Sequence, residues 1–191
     1  MVSNRFVKYI LVAIISLVLG LDAMASNNTT IQSDSLSYQT SNNYFFKSVG
    51  SYFDSICHIR NQLVLSAYTL IGTPYMFSGT NTNGFDCSGF TSFVYSMFNM
   101  ILPHSASMQS KLGDQIDLLN SEKGDLLFFG GKGKSGNYYV SHVGIVLENN
   151  GNSIDMIHSS SSSGVRVDNT NSETWKNYWS RKLLFVKRVI N

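Results

Sequence analysis

The hydrophobic period changes once along this chain, near Gly124, and that change restricts what the chain can fold into. Before it, apolar residues recur at helical spacing. Tyr52, Ile56, Ile59, Leu63, Ala67 and Leu70 form one stripe between Ser51 and Ile71. Gly72 and Pro74 then stop that helix. Phe90, Phe93, Val94, Met97 and Ile101 form a second stripe, in a helix that starts at Cys87 with Asp86 as its N-cap. A short third helix is predicted over residues 105–112, ending at Gly113. After Gly124 the pattern suits strands: "DLLFFG" (125–130), "YVSHVGIVLE" (139–148), "SIDMIHS" (153–159), then "GVRV" and "LLFVKRVI". "NNGN", residues 149–152, is a hairpin signal. Helices first and strands afterwards predict an α+β fold, with N-terminal helices packed on one face of a central antiparallel sheet.

Hydrophobic residues make up 43% of the chain and aromatics 13%, enough to build a core. A formal net charge of +2 is too small to favour nucleic acid as a partner. Residues 1–25 read as a signal peptide. Arg5 and Lys8 precede the apolar stretch "YILVAIISLVLGL", and "AMA" at 23–25 is a small-x-small cleavage site. The apolar run falls short of the roughly 20 residues a membrane span needs, so no stable membrane anchor is expected after cleavage. The expected location is periplasmic or secreted. Residues 26–50, rich in Ser, Asn, Thr and Gln, read as a flexible leader, and residues 51–191 as the working domain.

In that compartment Cys57 and Cys87 could pair as a disulfide. Their settings differ, however. Cys57 lies between Ile56 and Ile59 and reads as a small core residue. Cys87 opens a helix, where unpaired backbone N–H groups favour a thiolate, the nucleophilic form. Such a nucleophile needs a base and an orienting partner. A hairpin centred on Asn150 would set His142 and His158 directly opposite each other on one face of the sheet. A slip of one residue would put them on opposite faces. Zinc bound by Cys87, His142 and His158 is chemically conceivable, but no close ligand pair such as C-x-x-C anchors it. No metal or other cofactor is expected.

The chain resembles the NlpC/P60 family of bacterial cell-wall cysteine peptidases. "GTPYMFSGTNTNGFDCSGFTSFVY" resembles the nucleophile block and "SHVGIVL" the histidine block. "LPHSASMQ", "KGDLLFF", "MIHSSSSSGVRV" and "YWSRKLLFVKRV" follow the family order. The resemblance covers roughly residues 52–190 and implies a papain-like α+β fold. It implies Cys87 as nucleophile, His142 as general base and then acid, and His158 as the residue that orients His142. It also implies that Tyr75 lines the site and helps to stabilise the oxyanion, and that Asp86 and Ser88 contact substrate. His104 departs from the family, which usually carries arginine there; imidazole cannot copy an arginine fork on a carboxylate.

The function so implied is peptidoglycan hydrolysis, by a cysteine endopeptidase acting on murein stem peptides. Two rivals are an amidase or acyltransferase on a non-wall substrate and a catalytically silent wall-binding protein. A separate activator or targeting partner is left open. A thiolate–imidazolium pair would make Cys87 react with alkylating agents well below the usual thiol pKa of about 8.5.

Overall fold

The computed structural model describes residues 34–133 and 136–191, with side chains from Phe46 onward. The signal peptide lies outside the described residues, as do leader residues 26–33. The described chain falls into two units, one running through Ser55 together with Asn191, the other Ile56–Ile190. No helix among the described residues is long and apolar enough to cross a membrane.

Helix α1, Asp34–Tyr68, begins far earlier than its apolar stripe predicts. The flexible-leader expectation is therefore corrected over residues 34–50. Residues 34–49 contain neither Gly nor Pro, so nothing in them terminates a helix that continues into Ser51. In the first unit Tyr52 donates its hydroxyl to the Asn191 carbonyl at 2.9 Å.

In the second unit, the buried face of α1 starts at Arg60 and continues through Leu63, Val64 and Ala67, with Leu70 buried just past the helix end. Cys57 lies before it and is exposed, which corrects its expected place in the core. The chain leaves α1 through Gly72, whose φ of +87° suits glycine. A two-strand hairpin, β1 (Thr80–Asn81) and β2 (Gly84–Phe85), leads into helix α2, Cys87–Ser96. Helix α3 is one turn, Ala106–Gln109, capped by Ser105.

The remaining strands are β3 (Asp114–Ile116), β4 (Leu126–Lys132), β5 (Tyr138–Asn149), β6 (Ile154–Ser160), β7 (Gly164–Asn169) and β8 (Leu183–Arg188). They form one sheet in the order β3-β8-β4-β5-β6-β7, antiparallel throughout. One sheet face supplies Phe128, Val143, Ile145, Leu147 and Ile157 to a core shared with Leu63 and Ala67 of α1 and with Phe90 and Val94 of α2. The helices thus cover one face, as the change of period predicts.

The opposite face is covered too. Leu127, Phe129, Val146 and Met156 pack there with Trp175 and Trp179, from a π-helical turn at Trp175–Trp179. A sheet buried on both faces explains why β4 and the middle of β5 read as apolar runs rather than alternations.

Candidate active site

Asp86 caps α2 with an extended backbone, φ −85° and ψ 176°. Its Oδ1 accepts from the Gly89 N–H at 2.7 Å and from the Ser88 hydroxyl at 3.1 Å. Its Oδ2 lies 2.8 Å from His104 Nε2. Both carboxylate oxygens are thus engaged within the protein, and the Ser88 hydroxyl is turned inward to Asp86. Ser88 is buried. This geometry gives Asp86 and Ser88 a structural part at the head of α2.

Close backbone approach fixes that helix start. Asp86 N–H donates to the Gly79 carbonyl at 3.0 Å. A Cβ on Gly89 would collide with the same carbonyl, so this position needs glycine. Behind α2 lies Gln109, which is fully buried. Its amide nitrogen donates to the Ser88 carbonyl, the Ser92 hydroxyl and the Pro103 carbonyl, while its oxygen accepts from Thr91. Ser159 of β6 donates to the Phe85 carbonyl at 2.7 Å, tying the sheet to the residue before Asp86.

Cys87 is a half-buried free thiol. Burial pushes its pKa up from the ordinary thiol value, and the negative charge of Asp86 pushes the same way. Backbone N–H groups of Val143, Ser88 and Cys87 itself pull it down, with Val143 the strongest of these, but burial prevails. The helix-start effect is thus present and outweighed, which reverses the expectation of an acidic thiol. Tyr75 is half-buried and bridges to Phe85. Its pKa is raised first by burial and then by Cys87 and Asp86, so the phenol lies within electrostatic range of the sulfur.

Strand β5 joins the thiol to the histidines. Val143 N–H is the strongest of the groups that lower the Cys87 pKa, and the preceding residue is His142. His142 Nε2 lies 2.8 Å from His158 Nδ1. His158 Nε2 lies 3.0 Å from Asp168 Oδ2. Asp168 also accepts from Trp179 Nε1 at 2.9 Å and from Arg166 at 2.6 Å. The Trp179 ring stacks on His142 with centroids 4.8 Å apart and planes at 27°. Burial, and then the neighbouring His158, push the His142 pKa down to about 3. The resting imidazole is therefore neutral at ordinary pH.

The two histidines meet by a different register from the one the hairpin predicts. Near the turn Asn149 pairs with Ile154 and Glu148 with Asp155. Continued inward, that register would turn His142 and His158 to opposite faces. A bulge intervenes, because the next pairs are Val146 with Met156 and Ile145 with Ile157. Leu147 is the extra residue. Past the bulge, His158 falls beside Gly144, diagonal to His142 and on the same face. A Cβ on Gly144 would lie 2.6 Å from Met156 Sδ and 3.2 Å from the His158 Cβ, so glycine lets the strands close here. Asp168, Arg166 and Trp179 carry no motif on their own; their part is visible only once β7 and the tryptophan turn are in place.

A cysteine at a helix start, held against a sheet strand that carries a histidine relay, defines the class of papain-like α+β thiol folds. The chain belongs to the NlpC/P60 family, whose profile matches residues 72–184. Over 114 residues it is 38% identical to the probable endopeptidase NlpC of Escherichia coli K12, covering 58% of this chain and 69% of that protein. It is 28% identical to the Escherichia coli K12 murein DD-endopeptidase MepS/murein LD-carboxypeptidase over 99% of this chain and 97% of that protein. Among solved structures, an NlpC/P60 family protein from Bacillus cereus superposes with a TM-score of 0.59 at 28% identity. That match covers 69% of this chain and 40% of the other.

Proposed function

We propose that this protein is a peptidoglycan hydrolase, a cysteine endopeptidase that cleaves amide bonds in murein stem peptides outside the cytoplasm. One observation carries the reading: His142 Nε2 on β5 meets His158 Nδ1 at 2.8 Å, next to Val143, whose N–H favours the Cys87 thiolate. The wall-peptide substrate class is supported by the names of the relatives, and the location by the N-terminal signal pattern.

The directions of the pKa shifts decide how the proton moves. The thiol is raised and the imidazole lowered, so in the free protein the proton rests on sulfur. Transfer to His142 then accompanies attack of sulfur on the amide carbon rather than preceding it. The tetrahedral oxyanion would take the Cys87 backbone N–H and the Tyr75 hydroxyl as donors. Its collapse breaks the C–N bond, and His142 gives its proton to the departing amine. Water, activated by His142, hydrolyses the acyl-enzyme and restores the thiol.

The test is digestion of purified sacculi and defined muropeptides, by the protein and by its Cys87→Ser variant, with products read by mass spectrometry. The expected result is new amide-cleavage products from the unmodified protein alone. Intact substrate in both, with the thiol verified as reduced, would overturn the reading. Release of whole stem peptides from the glycan would reassign the enzyme as an amidase.

A further inference from the structure

We propose that Asp168 is a positioning residue that fixes the tautomers of both candidate catalytic histidines, acting through His158. The inference deepens the proposed function and rests on His142 being its base. Asp168 projects from β7 with only 3% of its side chain exposed. Three donors surround its carboxylate: His158 Nε2 and Trp179 Nε1 at Oδ2, and Arg166 at Oδ1. Burial raises its pKa, but the hydrogen bonds from His158 and Trp179 and the Arg166 charge outweigh burial and hold it below the usual range. The carboxylate is therefore ionised.

An ionised carboxylate only accepts hydrogen bonds. His158 Nε2 must then carry the proton it shares with Asp168. Arg166 already meets the carboxylate's charge, so in the proposed relay the fully buried His158 carries that single proton. Neutral His158 protonated at Nε2 has its lone pair at Nδ1, which faces His142 Nε2 at 2.8 Å. His142 Nε2 must be the donor in that bond. Since His142 is neutral, its own lone pair is left at Nδ1, free to take the thiol proton. One carboxylate two rings away thus sets which nitrogen of His142 is basic.

Asp168→Asn tests this with little change of shape. Arg166 keeps the amide oxygen at the Oδ1 position, so the NH₂ takes the Oδ2 position, where it donates to His158 Nε2 and the Trp179 bond is given up. Each ring then shifts its proton from Nε2 to Nδ1, and His142 loses its base at Nδ1. Long-range ¹H–¹⁵N spectra of histidine-labelled protein read the tautomers directly, and in a Cys87→Ser background they do so without turnover. The unmodified protein should carry both protons on Nε2, and Asp168→Asn should carry them on Nδ1. Turnover of a muropeptide should fall about 100-fold or more in kcat, with KM held within about threefold. Asp168→Glu should recover part of kcat together with the Nε2–H signals. A folded Asp168→Asn variant that keeps the original tautomers or the original kcat overturns the proposal. So does a His142 protonated at Nδ1 in the unmodified protein, a result available even if Asp168→Asn does not fold. If the unmodified protein cleaves no muropeptide, the proposed function fails, and the tautomer spectra still decide the part played by Asp168.

Discussion

Cys87 sits where opposing effects meet: helix-start and Val143 N–H groups favour its thiolate, while burial and Asp86 favour the thiol. Burial dominates, so the rate of iodoacetamide alkylation should titrate above the free-thiol value of about 8.5. Asp86→Asn keeps a competent helix cap and removes the charge, so it should move that midpoint down. A midpoint below the free-thiol value in the unmodified protein would show that the N–H groups win after all. His142 gives a second pH prediction. Its pKa is near 6.5 unfolded and about 3 folded. Between those values the unfolded chain binds more protons, so stability is fully present above pH ~6.5 and is lost as pH falls toward ~3. Urea denaturation across that window should show a shallower acid loss in His142→Gln. Identical slopes in the two proteins would refute the buried neutral imidazole.

At the scale of elements, Gln109 is the fastener of α2. Its side chain serves Thr91 and Ser92 on the helix, the Ser88 carbonyl near its start and the Pro103 carbonyl of the following loop. Gln109→Ala would strand several buried polar groups, at a cost of about 2–4 kcal/mol. The expected readout is a lower urea midpoint and faster alkylation of Cys87, because a loosened helix start relieves the burial that keeps the thiol protonated. A variant as stable as the original would remove Gln109 from that part. Much of this level was legible in the chain. The Asp86 cap, the Cys87 helix start and the order of helices and strands follow from period and capping chemistry. The bulge at Leu147 was not legible, because nothing local marks it; pairing across the sheet decides it. Nor was the exposure of Cys57, since a stripe of apolar residues does not say where its packing partner begins. The Asp86–His104 pair escaped for the same reason: 18 residues separate the partners, and only the fold closes the gap.

Across the second unit, one buried charge joins α1, β8 and the turn before β4. Asp125 is fully buried and accepts from Arg60 at 3.2 Å, from Arg188 at 2.9 and 3.1 Å, and from the Glu122 N–H at 2.7 Å. Arg60 also reaches the carbonyls of Lys123 and Ile190. Asp125→Ala leaves two arginines with only the exposed Glu122 as counter-ion, and should cost about 3–5 kcal/mol. Thermal unfolding measures it. If the melting temperature is unchanged, the cluster is not what holds these elements together. Paired replacement of Arg60 and Asp125 by apolar residues should be milder than the single change, because only Arg188 then remains, and Glu122 still pairs with it at 3.1 Å.

The extra residue at Leu147 gives the strand pair an odd-or-even character. Most changes to a site are graded: a side chain shifts, an angle relaxes, some activity survives. A count of residues from each histidine to the pair at Val146 and Met156 has no such middle ground. Lengthening the Asn150–Ser153 turn leaves the count untouched, so that turn can drift in length among descendants of this chain. A single insertion or deletion between His142 and the pair at Val146 and Met156 turns one ring through the sheet, and only a second odd change nearby brings it back. The lineage of this strand should therefore change length there by twos or not at all.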